Sequence, residues 1–462
     1  MKTIIKNGTI VSPSENYIAD ILIEDEKIVC IGHKFNADDE QDTLIINAAG
    51  KYVLPGGVDV HTHMDLDVGI ARAVDDFYDG TVAAACGGTT AIVDHMAFGP
   101  KGCNLHHQLH EYHRLADGKA VIDYGFHGVV QHVNKSILDE LEEMMQDGVP
   151  SAKVYLTYDY RLNDGEVLEV LKRMKEIGGV TAFHCENHRV IELCRNLCHE
   201  NGTLAPIYHA KSRPNLSEAE AVGRVLKLAR LAGDACVYIV HLSCKESLDE
   251  VRHARENGQQ NIFVETCPQY LTLTEERYLN ADGLKYIMAP PLRTAQDCDA
   301  LWKGIETGEI QVVGTDHCPF NFQKEKQLGK DDFTKCPGGA PGVEERMMLL
   351  FSEGVMKKRI SINRYVEVMC TNPAKIYGLY PGKGILQPGS DGDLIVIEPE
   401  AEAIITHAKM HSAVDYTSYE GVVVKGQIDL VMQRGRIIAE KGEFKGEKGA
   451  GRFIRRKPHP VL

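Results

Sequence analysis

GGVDVHTHMD, residues 56–65, is the stretch from which the rest of the chain can be read. Apolar and polar residues alternate through it with a strand's period of two, and it ends in His61-Thr62-His63. That period sends both imidazoles to the same side of the strand, where they can bind one metal ion. The same triplet also arises by chance on exposed strands. Its weight depends on whether other parts of the chain return to the same place.

Outward from this stretch the middle of the chain alternates strand and helix. Apolar, β-prone runs are expected at residues 56–63, 89–95, 124–130, 152–158, 181–187, 237–243, 261–268 and 310–317. Between them, capped helical patterns are expected at residues 75–86, 105–117, 136–146, 164–177, 188–200, 217–232, 246–256 and 294–307. Eight strands linked by helices predict an α/β fold, a TIM-like (β/α)8 barrel. The runner-up is an open doubly wound sheet. No Gly-rich phosphate fingerprint follows the first strand, and the polar residues fall at several strand ends rather than at one switch point.

The flanks read differently. The first 54 residues and residues 386–444 consist of short β-prone runs broken by turns, which predicts a small β-sandwich domain built from both termini around a barrel of residues 55–385. Residues 445–462 form a basic tail, either solvated or a subunit-packing arm. The chain has 462 residues, 43% of them hydrophobic, enough for a large core. Its net charge of -15 argues against nucleic acid or an anionic membrane as a partner. No run is long enough for a membrane span, and 13 Cys without CxxC pairs read as reduced thiols, so a cytoplasmic location is expected.

The strand ends carry the chemistry. His61 and His63 close the first strand, Lys153 lies in the fourth, His184 in the fifth, His241 in the sixth and Asp316 in the eighth. In a closed barrel these ends ring one mouth. Four His and one Asp suit two divalent ions, zinc first, with manganese, iron or cobalt also compatible. Two close dications need a bridging anion. Lys153 can supply it as a CO2-derived carbamate (N6-carboxylysine), once its pKa is depressed from ~10.4 to free the amine. Taken singly, each residue has a plainer role as a core or rim group, and Asp316 could cap the segment after it. His95 and His127 are expected beside the centre rather than in it, while His106, His107, His110 and His113 have the spacing of a solvated helix face.

The motifs VLPGGVDVHTH, AAACGGTTAIVDH, AKVYLTY, FHCEN, YIVHLS, VETCPQYL, APPLR, GTDHCPF, PGGAPGVEERM and GDLIVIEP run nearly end to end. Together they resemble the cyclic amidohydrolases, closest to the D-hydantoinase and dihydropyrimidinase group and its bacterial phenylhydantoinase branch. The resemblance implies a dinuclear centre in which His61, His63 and Asp316 hold one metal, His184 and His241 the other, and carbamylated Lys153 bridges them. It also implies a hydroxide shared by the metals, Asp316 as proton shuttle, and Tyr158 as donor to the oxyanion, with simple aromatic wall as the lesser alternative for Tyr158.

For the substrate, the resemblance implies a small cyclic amide whose amide edge is held by backbone of segments 288–291 and 337–339. Ala289 stands there where many relatives have Ser, and Gly338 where many have Asn. Val68, Tyr155 and Leu162 match an apolar gate for a 5-aryl or alkyl substituent, and could otherwise simply pack loops. No Arg is obvious there, which weighs against dihydroorotate. The alternatives are an allantoinase or dihydroorotase using the same centre, or a non-catalytic assembly relative, the latter disfavoured by six intact ligand positions. A homotetramer is expected from the resemblance.

Overall fold

The computed structural model describes residues 2–33, 35, 43–96, 99–100 and 102–459. Eight parallel strands stand in chain order: Gly57–Thr62, Thr89–His95, Asp123–Val129, Ser151–Tyr155, Val180–His184, Val237–Ile239, Ile262–Thr266 and Val312–Val313. All eight are buried throughout, as expected of a sheet covered on both faces. A parallel bridge between Thr62 and His317 joins the last strand to the first. The barrel is therefore nearly closed, and all its carboxyl ends face one mouth.

Helices cover the outside, and polar caps begin most of them. Asp76, Asn104, Asn134, Asn163, Asn187 and Thr294 each accept a backbone N–H of the following helix, with full capping boxes at Asn163/Glu166 and Thr294/Asp297. The helices expected from the sequence are present. Helical segments between Arg346 and Ile376 were not expected; they are short, and two of them, Phe351–Met356 and Glu367–Thr371, are π-helical. Such pieces are too brief to carry a clear 3.6-residue period.

The eighth strand is shorter than expected. Only Val312 and Val313 pair with the seventh strand, after which the chain turns toward the first. A Cβ at Gly314 would lie 2.7 Å from Glu265 Oε2 and 3.2 Å from His61 Cβ, so the bend passes close against the site. Thr315 Oγ1 then donates to Asp59 Oδ2 at 2.6 Å, and the Asp316 N–H donates to His61 O at 2.9 Å. Asp316, at φ 56°, cannot continue a ladder.

Strands from both termini form one nine-stranded sheet. Lys2–Val11 and Asn16–Glu24 from the start join Leu394–Ile404 and Val423–Gln433 from the end through Tyr52–Pro55. An antiparallel bridge between Lys27 and Asp391 brings the sheet's amino-terminal edge back to the later strands. Ile5, Ile21, Val53, Val396 and Met432 share its own apolar core, separate from that of the barrel. The closing segment runs along the amino ends of the barrel strands: Ile454 N–H donates to Tyr124 O at 2.7 Å, and Arg456, 3% exposed, donates to Ser151 Oγ at 2.9 Å. Part of the basic tail is thus buried against its own barrel. Residues 460–462 lie outside the described residues.

Candidate metal centre and catalytic cavity

A cavity of about 1280 Å³ opens at the carboxyl ends of the strands. His61, His63, Lys153, His184, His241 and Asp316 all reach it, although they come from the ends of four strands and the bend after the eighth. His61 Nε2 lies 3.2 Å and His63 Nε2 3.0 Å from Asp316 Oδ1. His241 Nε2 faces His184 Nδ1 at 2.9 Å. His61, His241 and Asp316 offer ligand atoms within 4.8 Å of one another, as do His61, His63 and His95.

Buried carboxylates that had no assigned role at the sequence level fix the tautomers. Glu265, fully buried, meets His61 Nδ1 at 2.5 Å, which places that ring's proton on Nδ1 and leaves the Nε2 lone pair facing the cavity. The same carboxylate accepts from Tyr238 Oη at 2.8 Å and from the His241 N–H at 3.0 Å. Glu186 does the equivalent for His184, meeting Nε2 at 2.7 Å and leaving Nδ1 as the acceptor that faces His241 Nε2, and it is itself paired with Arg213. His61 Nε2 and His63 Nδ1 are buried without a hydrogen-bond partner among the described residues. Convergent lone pairs, oriented by carboxylates and left unpaired, fit a metal centre.

Local electrostatics set the protonation of the metal-free site. Burial pushes the His61 pKa down, but Glu265 and Asp316 outweigh it and raise the group to about 9. His63 is pushed down by burial, against the pull of Asp316, to about 4. Burial would raise the Asp316 carboxyl, yet the His61 and His63 rings hold it well below the usual range. Lys153, 1% exposed, is lowered by burial to about 8, against the pull of Asp316 and Glu265, so a sizeable neutral fraction exists near physiological pH. Burial also raises the Tyr158 phenol to about 12, against Arg213, keeping it a donor. Tyr158, His241 and Asp316 all have positive φ (71°, 39° and 56°). Left-handed backbone at non-glycine residues costs about 1–3 kcal/mol each and gathers at functional sites.

The strands are locked in register around these groups. Asp94 Oδ2 accepts from Thr62 Oγ1 at 2.6 Å and from the Met64 N–H at 3.0 Å, holding the first strand to the second. Arg346, fully buried, donates to Val313 O at 2.9 Å and Val58 O at 3.2 Å, tying the eighth strand to the first. The signal for Glu186 was two residues past His184, in FHCEN, and that for Glu265 in VETCPQYL. No spacing rule singled out either from ordinary strand residues. His106 and His113 pair with surface carboxylates and His110 is 80% exposed at its side chain, so three of the four helix histidines form the expected solvated face, while His107 also reaches the cavity rim.

The cavity wall holds Val68, Tyr155 and Tyr158, along with Leu66, Ile70 and Tyr160. Leu162 is placed differently from the sequence expectation: it is 4% exposed, packs in the barrel core, and its N–H donates to Tyr155 O at 3.0 Å, behind the wall. The expectation of no arginine also needs correction, because Arg72, Arg114, Arg195 and Arg213 line the cavity. They come from loops and helices whose approach only the folded chain defines. Ala289 and Gly338 lie side by side, a Cβ at Gly338 falling 4.0 Å from Ala289 N. Lys326, fully buried, holds both segments: its Nζ donates to Ile287 O at 2.7 Å, Pro337 O at 2.9 Å and Gly339 O at 2.6 Å. Three acceptors match the three protons of an ammonium group.

A nearly closed parallel barrel with histidines and an aspartate at its carboxyl mouth defines the class, and comparison agrees: residues 52–438 match the amidohydrolase family, to which this chain belongs. The chain is 51% identical to a D-phenylhydantoinase from Escherichia coli O7:K1 over 464 residues, covering all of both chains. A dihydropyrimidinase from Brevibacillus agri NCHU1002 superposes with a TM-score of 0.97 at 42% identity, again over all of both chains. An L-hydantoinase from Arthrobacter aurescens superposes at 0.89 with 31% identity, over 98% of this chain and 99% of its own.

Proposed function

We propose that this chain hydrolyses cyclic amides, opening 5-substituted hydantoins, aryl ones especially, and dihydropyrimidines to N-carbamoyl amino acids. The convergence of four imidazoles, two of them oriented by carboxylates, with Asp316 and a pKa-depressed Lys153 on one cavity carries this reading. His61, His63 and Asp316 would hold one divalent cation, His184 and His241 the other, and Lys153, carbamylated by CO2, both; zinc suits this mixed N/O set. Bound there, such cations polarise a carbonyl and bring the pKa of water to ~7.

The chain's own groups do the rest. The ring's amide edge lies along the backbone near Ala289 and Gly338, and its substituent lies against Val68 and Tyr155. Asp316, ionised at neutral pH, accepts a proton from the attacking water as its oxygen bonds to the ring carbonyl carbon. Tyr158, still protonated, donates to the oxyanion. Asp316 then delivers its proton to the ring nitrogen as the C–N bond breaks, leaving a carbamoyl group and a carboxylic acid, which loses its remaining proton to solvent to become a carboxylate.

The remaining readings concern assembly and place. The barrel of residues 55–385 and the sheet domain of residues 1–54 and 386–444 form the subunit of a cytoplasmic homotetramer; residues 445–462, expected as a subunit-packing arm, fit that role less well, since Ile454 and Arg456 hold them to their own barrel. Val190, Leu193 and Leu197 are 37%, 59% and 44% exposed on one stripe of the helix His188–Glu200, which supports a subunit contact there. No helix of the described residues is long and apolar enough to cross a membrane.

The experiment is ring opening of 5-phenylhydantoin and of dihydrouracil by protein supplied with zinc and bicarbonate. Faster turnover of the hydantoin supports the apolar wall as the specificity surface; preference for dihydrouracil moves the assignment to pyrimidine rings. Silence on both, with zinc bound, would shift it to allantoin or dihydroorotate, for which the arginines on the wall supply a binding group.

A further inference from the structure

The barrel carries a histidine at the metal centre that the six expected ligands leave unexplained. Thr62 pairs with Asp94 across the first two strands, so the next residues, His63 and His95, stand side by side on the inward face. His95 pairs in turn with His127 on the third strand. Three neighbouring strands thus present a histidine at the same level.

Two of these rings have opposite hydrogen-bond status. His127 is fully buried and satisfied at both nitrogens, with Nδ1 2.7 Å from Ser151 Oγ and Nε2 3.0 Å from Val60 O. His95 is 1% exposed, and neither its Nδ1 nor its Nε2 has a partner among the described residues. A neutral imidazole has one donor and one acceptor, and burying both unpaired is unfavourable unless something else occupies the space beside them. The ring centre lies 4.6 Å from that of His61 and 5.0 Å from that of His63, nearly parallel to the latter.

We infer that His95 is a third imidazole donor for the cation held by His61 and His63. The inference rests on the metal-centre reading above. One ligand nitrogen of His95 lies within 4.8 Å of ligand nitrogens of both rings, a spread that turning the stacked His95 ring about its side-chain torsions closes to a common centre. The strand cannot drift away, because Asp94 is anchored to Thr62 and Met64. The consequence is asymmetry. One cation has three imidazoles and Asp316, the other two imidazoles, so the first is held longer and favours nitrogen-preferring ions such as zinc or cobalt over manganese.

The test loads wild type and His95→Phe with zinc in bicarbonate, then follows metal content by mass spectrometry during dialysis against a chelator. Phenylalanine keeps the ring's shape and removes both nitrogens. In wild type one cation should leave slowly. In the variant that slow phase should quicken by about tenfold or more, in the range found when groups around metal ligands are removed. The visible absorption of the cobalt-loaded protein should change, while melting of the metal-free protein should not fall.

Unchanged release and an unchanged cobalt spectrum would make His95 a packing ring and overturn the inference, leaving the six-ligand centre intact. Should His95→Phe not fold, wild-type cobalt protein decides the matter by paramagnetic NMR. An exchangeable, strongly shifted ring N–H beyond those of His61, His63, His184 and His241 supports the assignment, and none beyond them refutes it. A wild type that binds no zinc at all would remove the metal-centre reading, and this inference with it.

Discussion

Replacing Glu265 with glutamine changes almost no volume, yet it should undo the centre through one proton. The carboxylate accepts from His61 Nδ1, from Tyr238 Oη and from the His241 N–H. A glutamine can orient its carbonyl toward only some of these, and its amide, turned toward His61, would donate to Nδ1 and move the ring's proton to Nε2. The lone pair would then face away from the cavity. Metal affinity should fall by about 10–100-fold, the range for groups that orient a metal-ligating histidine.

The same change has a pH signature in metal-free protein. The rise of His61 from 6.5 to about 9 corresponds to about 3 kcal/mol favouring the protonated folded state, taking 1.4 kcal/mol per pKa unit. A raised folded pKa gives stability that is fully present below pH 6.5 and lost as pH rises through about 9. Glu265→Gln should flatten that alkaline decline. His63 acts in the opposite window: with its folded pKa lowered to about 4, stability is lost as pH falls from 6.5 toward 4, and the substitution should leave this acid limb in place. Urea unfolding of chelator-treated protein at intervals from pH 4 to pH 10, together with zinc titrations at pH 7.5, measures both. Wild-type zinc affinity in the variant, with the alkaline decline intact, would refute the argument that Glu265 sets the His61 proton.

Two further predictions concern the cavity wall. Tyr158→Phe should lower kcat by about 10²-fold with KM changed little, because the phenol is called on when negative charge develops; an equal loss in the binding of unreacted substrate would assign Tyr158 to the wall instead. Lys326→Met leaves Ile287 O, Pro337 O and Gly339 O without their shared ammonium, and should raise KM for the ring by about tenfold or more while zinc content stays at the wild-type value. Hydrogen exchange should quicken in both segments, 287–291 and 337–339, and quickening in only one would mean that Lys326 does not couple them.

The legible part of this molecule is its periodicity. Strands buried on both faces read as near-continuous apolar runs, capped helices announce their starts, and the order of strand and helix leaves few topologies other than a barrel. His61, His63, Lys153, His184, His241 and Asp316 stood out because each polar side chain interrupts an apolar strand or its end. Asp316 was harder to place, since its strand ends at Val313 and the residue reaches the first strand through a bend that a ladder pattern does not describe. Glu265, Arg346 and Lys326 looked like ordinary charged residues, because their partners lie on other strands and loops; Glu186 did so although His184 is only two residues before it.

The sequence by itself thus determined the barrel, the sheet shared by the two termini and the placing of histidines, a lysine and an aspartate around one mouth, because these depend on local period and on residue chemistry. Only the tertiary structure decided which nitrogen of each imidazole faces the cavity, that Leu162 lies behind the wall while Arg195 and Arg213 line it, and that His95 stands unpaired beside His63. Apart from the His184–Glu186 contact within one segment, those features are set by hydrogen bonds and contacts between segments tens to hundreds of residues apart. Their energies depend on distance and burial, which no run of neighbouring residues encodes.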